Sequence, residues 1–251
     1  MSGHSKWATI KRDKGAADAK RGQMFTKLSK EIEAAARAGD PDPEVNFKLR
    51  LSVQKARNFN MPVDNIERAI NRAKGALGGT SNYTEANYEG YASGGAAILV
   101  EVLTDNKNRT TAEIRNVFNR GGGNLGESGC VIWIFQPKGV ITVAAEGNAD
   151  DLALMAIDAG AEDVKEEGGT LEIQTAPEKL EAVKKSLEGQ KITIASAELT
   201  RVPQNTLALD KKAAISTLKL IDKLEDLDDV QKVHTNADFP DDAIEEFNSQ
   251  G

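Results

Sequence analysis

The sequence predicts an α+β protein of several domains. An N-terminal helical domain precedes two α/β domains, one of them ferredoxin-like and inserted in the other. Three observations carry this. A helical period runs through residues 24–75. A β-α-β-β-α-β succession follows between residues 140 and 199, the ferredoxin-like order. A strand and helix near residues 96–119 lack the second helix and strand that would cover their sheet, and a matching pair returns only after Pro203. The expected boundaries are 1–78 for a basic arm with the helical domain, 79–135 together with 204–237 for a discontinuous α/β domain, 136–203 for the insert, and 238–251 for an acidic tail.

Each element has its own justification. Residues 1–22 are rich in Lys, Arg, Ala and Gly with few apolar side chains, so this arm is expected to order against a partner. From Met24, the stripe Met24, Leu28, Ile32 and Ala35 predicts a helix that Gly39 ends. Asp42 is the expected cap of a second helix, with Val45, Leu49, Val53 and Ala56 inside. Asn60-Met61-Pro62 opens a third helix, with Ile66, Ala69, Ile70 and Ala73 inside. Residues 76–87 are Gly-rich and predict a linker. Ala96–Leu103 predicts a strand, Asp105–Arg109 a polar loop, Thr110 with Glu113 a capping box for a helix through Asn119, and Val131–Phe135 another strand. In the insert, strands are expected near 140–144, 162–166, 171–175 and 192–199, with helices near 149–158 and 177–187. After Pro203, a helix over Ala213–Leu224 and a strand over Val230–His234 are expected.

Composition narrows the function classes. A single Cys130 among 251 residues excludes an internal disulfide framework and a Cys-clustered zinc site, and two histidines, His4 and His234, exclude a His-rich metal site. No apolar run approaches the roughly 18 residues that span a bilayer, and the N-terminus has no apolar signal region. The expectation is a soluble protein of a reducing compartment, monomeric, with no membrane contact, no metal and no cofactor. The two His and the Cys lie far apart in sequence and define no catalytic dyad or triad, so no enzymatic activity is expected. Gly121-x-Gly123-x-x-Gly126 matches a dinucleotide fingerprint by letter, but it follows a helix and precedes a strand, the wrong order for phosphate at a helix N-terminus. The five acids of Asp222–Asp229 fit no calcium loop and are expected to be the solvated face of an amphipathic helix.

Charge is the strongest signal. The net −7 conceals a split: residues 1–75 carry 16 Lys and Arg against 9 Asp and Glu, while residues 76–251 carry 16 against 30. A basic face for a polyanion on an acidic body is the expected meaning. Lys6, Lys11, Arg12, Lys14, Lys20 and Arg21 crowd the arm, and Lys27 and Lys30 extend them along the first helix. Arg50 and Arg57 are two turns apart, and Arg68 and Arg72 one turn apart, each pair on one face. Such spacings can follow a phosphate backbone. Trp7 among these cations suits stacking on an unpaired base. His4, Lys107 and Arg109 form a secondary set of candidates.

These residues also resemble a known family. Gly3-His4-Ser5-Lys6-Trp7, Asp18-Ala19-Lys20-Arg21-Gly22, Phe25-Thr26-Lys27, Asn60-Met61-Pro62 and Tyr88-Glu89-Gly90-Tyr91 resemble the YebC/PmpR family. The resemblance continues through Asp105–Thr110, Gly122–Gly126, Ala159–Asp163 and Leu227–Gln231, in order over nearly the whole chain. It implies three domains and a probable DNA-binding transcriptional regulator of the bacterial cytoplasm. Mitochondrial relatives resemble translational activators of cytochrome oxidase subunit I, and bacterial members have been linked to ribosomes stalled on proline runs. The partner expected is therefore nucleic acid: DNA in the first reading, or ribosomal RNA or tRNA on the ribosome for a translation factor in the alternative one. In both, the protein acts by occupancy and not by a chemical step.

Overall fold

The computed structural model describes residues 18–75, 83–145, 149–167 and 169–249. The described chain is a mixed α+β structure with an N-terminal helical region followed by β-sheet domains. It divides into two compact units, Phe135–Gln204 forming one and the sequence on either side of it the other.

Three helices open the larger unit: α1 (Asp18–Ala38), α2 (Phe47–Asn58) and α3 (Val63–Ala73). Leu28, Ile32, Ala35 and Ala36 of α1 meet Leu49, Val53 and Ala56 of α2 and Ile66 and Ala69 of α3 in one apolar core. Small alanines at the contacts let the helices approach closely. α1 is already helical at Asp18, the first described residue, six residues before the expected start at Met24. The cap of α2 is Asn46 and not Asp42: its side-chain oxygen accepts from the Leu49 N–H at 3.0 Å. Its amide donates to the Ala35 and Asp40 carbonyls, so one side chain closes the end of α1 and opens α2. Asp42 instead closes the turn before, its carboxylate accepting from the Glu44 N–H at 2.9 Å. That shift leaves Val45, expected inside, 68% exposed.

The sheet of this unit starts with β1 (Thr84–Tyr91), β2 (Ala97–Thr104), α4 (Lys107–Arg120) and β3 (Asn124–Leu125). β1 occupies the end of the expected linker. Polar residues in alternation with Ala86 and Tyr88 hide it, because only one of its faces meets the core. Gly90 of β1 is required by close approach: a Cβ there would lie 2.5 Å from the Asn124 carbonyl oxygen of β3. α4 begins three residues before the expected capping box. Asn106 caps it, accepting from the Arg109 N–H at 3.1 Å. The expected strand Val131–Phe135 is instead a 3-10 turn, Ile132–Ile134, with β4 starting at Phe135. The Glu89 carboxylate accepts the Gly129, Val131 and Ile132 N–H groups and so bends this segment out of an extended line. Trp133 is 65% exposed as a result.

The smaller unit runs β4 (Phe135–Ala144), α5 (Ala149–Asp158), β5 (Asp163–Glu167), β6 (Thr170–Thr175), α6 (Leu180–Gly189) and β7 (Ile194–Pro203). Its antiparallel sheet has the order β5-β6-β4-β7, the ferredoxin-like arrangement. Ile141, Val143, Leu171 and Ile173 of the sheet are buried, as are Leu180, Val183 and Leu187 of α6.

The chain returns with β8 (Leu207–Ala208), α7 (Lys211–Glu225), β9 (Val230–Thr235), β10 (Ala237–Asp238) and α8 (Asp241–Ser249). β9 completes the sheet β3-β1-β2-β9. Leu218, Ile221 and Leu224 of α7 pack with Ile98, Val100, Ile114 and Phe118. The segment expected as an acidic tail is structured. Phe239, Ala243 and Phe247 recur every four residues and enter this core, while Asp241 and Asp242 occupy the first turn of α8.

Candidate nucleic-acid interface

The helical region brings together some predicted cations and removes others. α1 carries Phe25, Ser29 and Glu33 on one line and Thr26 and Lys30 on the next. α3 presents Asn65, Arg68 and Arg72 on the flank beside Ile66 and Ala69. With Tyr83, where the chain enters β1, these residues line one cleft of about 280 Å³. Arg68 and Arg72 are exposed, and among the described residues neither guanidinium makes a hydrogen bond or ion pair. Glu33, the acid of the lining, is held by Arg37 at 2.9 Å. Arg21 lies over the Phe25 ring at 5.6 Å. Lys30 lies 6.0 Å from the centre of the Tyr83 ring.

Lys27 and Lys30 are otherwise engaged. Lys27 is buried, and its ammonium donates to the Glu225 carbonyl at the last turn of α7. A cation at a helix C-terminus is favoured by the exposed carbonyls and the helix dipole. Gln23 reaches the next turn, donating to the Asp226 carbonyl. Lys30 donates to the Asp228 carbonyl and pairs with Asp229 at 2.8 Å.

Asp229 is the hub of this contact. It is 2% exposed and receives Arg109 at 2.6 Å on its other oxygen. The Thr104 and Thr110 hydroxyls donate to that same oxygen at 3.0 and 2.7 Å. Burial alone would raise its pKa, but the hydrogen bonds from Lys30, Arg109 and Thr110 hold the carboxyl well below the usual carboxylate range. The Asp229 and Asp105 carboxylates in turn raise the Arg109 pKa. The acids of Asp222–Asp229 are therefore not a uniformly solvated face: Asp229 is a buried anion that ties α1, β2 and α4 to the turn before β9. Arg109 serves this hub from the first turn of α4, where a polar loop was expected.

The remaining candidates are dispersed. Arg50 donates to the Pro43 and Glu44 carbonyls and stacks on Phe47 at 5.7 Å, which stiffens the turn before α2. Arg57 and Lys107 are exposed, with no ion pair among the described residues. Lys20 lies in α1, its side chain outside the described part. His4, Lys6, Trp7, Lys11, Arg12 and Lys14 lie outside the described residues altogether. Sequence reasoning missed Asn65, Ser29 and Tyr83. Asn65 was findable, because it continues the Arg68–Arg72 stripe at helical spacing. Tyr83 sits in a Gly-rich stretch with no period to flag it.

The architecture defines a multidomain α+β protein with a cationic cleft in its helical region. Residues 5–76 match the TACO1/YebC protein N-terminal domain, and residues 83–237 match the TACO1/YebC second and third domain. The chain belongs to the TACO1/YebC family. It is 55% identical over its full length, and that of its relative, to a probable transcriptional regulatory protein of Dehalococcoides mccartyi strain CBDB1. It is 54% identical over 97% of the chain and all of its relative to a probable transcriptional regulatory protein of Treponema pallidum. The crystal structure of a conserved hypothetical protein from Aquifex aeolicus superposes with a TM-score of 0.82 at 46% identity, covering 89% of this chain and 92% of that one. Among the described residues no helix is long and apolar enough to cross a membrane.

Proposed function

We propose that the protein is a non-enzymatic regulator of gene expression that acts by binding nucleic acid; its relatives are named probable transcriptional regulatory proteins, and DNA is the nucleic acid proposed. The observation that carries this is the pair Arg68 and Arg72: two exposed guanidiniums, one turn apart and without partners among the described residues, in a cleft that also holds aromatic and amide side chains. Arginine offers planar, paired donors that suit phosphate oxygens. Affinity comes from phosphate neutralisation and counterion release, to which the net positive residues 1–75 contribute while the acidic remainder limits non-specific adhesion. Binding alone then alters access to the occupied site. The test is filter binding of DNA fragments by the full chain. Arg68→Glu with Arg72→Glu lowers affinity at least tenfold at physiological salt, on the scale of losing two phosphate contacts and adding repulsion. The thermal midpoint stays within a few degrees, because both side chains are exposed. A doubly substituted protein that binds at full strength removes the cleft from the interface.

A further inference from the structure

We infer that the cleft between α1 and α3 receives a single unstacked nucleotide from a single-stranded segment of DNA or RNA, not the surface of a duplex; this rests on the nucleic-acid reading above. Size is the first argument. At about 280 Å³ the cleft sits near the lower end of the roughly 300–1,000 Å³ of small-ligand pockets. A base in a duplex is stacked and paired, so it cannot enter a concave site of this size without being extruded. Phosphates on a duplex would touch the rim and leave the cleft unfilled.

The lining is the second argument. Phe25 and Tyr83 supply aromatic faces, and base stacking on such faces tolerates any base. Arg21 over Phe25 adds a cationic group beside that ring. Asn65 and Ser29 offer an amide and a hydroxyl with no hydrogen-bond partner among the described residues. Both can donate and accept, which suits the edge of an unpaired base. Arg68 and Arg72 remain for the flanking phosphates, since Lys30 is neutralised by Asp229. Rings, an edge-reading amide and two phosphate ligands in one pocket are the parts that a nucleotide needs. A site tracking only a duplex backbone has no use for the rings or the amide.

The test uses the full chain with short oligonucleotides carrying a central 2-aminopurine, as DNA, as RNA and as the DNA duplex. The proposal expects several-fold quenching of the fluorescent base on binding of a single strand and little change with the duplex. Tyr83→Ala weakens single-strand binding about tenfold, the scale of one lost stacking contact, and duplex binding less than twofold. Tyr83→Phe keeps the ring and retains wild-type binding. Asn65→Ala, a half-buried position in the cleft wall of α3, gives a second loss confined to single strands should Tyr83→Ala unfold. The DNA or RNA strand that binds more tightly identifies the source of the nucleotide. Tight duplex binding with no quenching, and no single-strand loss in either variant, overturns the nucleotide pocket while the nucleic-acid reading stands. No binding of any oligonucleotide overturns both.

Discussion

Asp229 illustrates how far a single residue's role can lie from its sequence neighbourhood. Among five acids in eight residues it carries no distinguishing mark. Its partners Lys30 and Arg109 are 199 and 120 positions away, so the burial that makes it structural is invisible to any local window. Lys27 and Lys30 teach the same lesson from the other side. A lysine on a helix face looks alike in sequence whether it faces a phosphate or the end of another helix. Asp229→Asn removes the charged acceptor of Lys30 and Arg109; because Arg109 is 45% exposed and keeps Asp105, the expected cost is about 1–3 kcal/mol, measurable by urea unfolding. The pH dependence has a definite sign. The folded carboxyl titrates below its unfolded value of about 3.9, so its stabilising contribution is full above that value and is lost as pH falls below it. The difference in stability between wild type and Asp229→Asn is therefore expected to be constant near neutrality and to shrink below about pH 4. A difference that stays constant to pH 3 contradicts the assignment.

At the scale of elements, periodicity was legible and boundaries were displaced by side-chain hydrogen bonds. The buried stripes of α1, α2 and α3 and the alternation of the insert follow from apolar spacing alone. The starts of α2 and α4 do not, because Asn46 and Asn106 compete as caps with Asp42 and Thr110, and the tertiary contacts decide. Asn46 wins because its amide also reaches the end of α1. Thr110 is lost as a cap because its hydroxyl is spent on Asp229. Asn106→Ala is expected to cost about 1 kcal/mol in equilibrium unfolding, the usual value of one cap. α8 was hidden by composition, since the acids of Asp241–Glu246 outweigh three core residues spaced four apart. Phe247→Ala opens a cavity in that core and is expected to cost about 3–5 kcal/mol. A loss under 1 kcal/mol would mean that α8 is peripheral to stability.

The whole molecule joins a basic helical region to an acidic remainder, and this division was readable from charge counts before any element was placed. What charge counting could not supply is the sorting of cations into those that hold the protein together and those left for a partner. Lys27, Lys30, Arg50 and Arg109 belong to the first group; Arg57, Arg68, Arg72 and Lys107 have no ion pair among the described residues and are the ones proposed for the second. The central claim is that Arg68 and Arg72 meet phosphates. The direct measurement is the salt dependence of oligonucleotide binding, by fluorescence anisotropy, for wild type and for Arg68→Ala with Arg72→Ala. Each lost phosphate contact lowers the slope of log affinity against log salt by about 0.7 on a single strand. The account predicts a slope shallower by about 1.4 for the double variant, whereas an unchanged slope with unchanged affinity contradicts it.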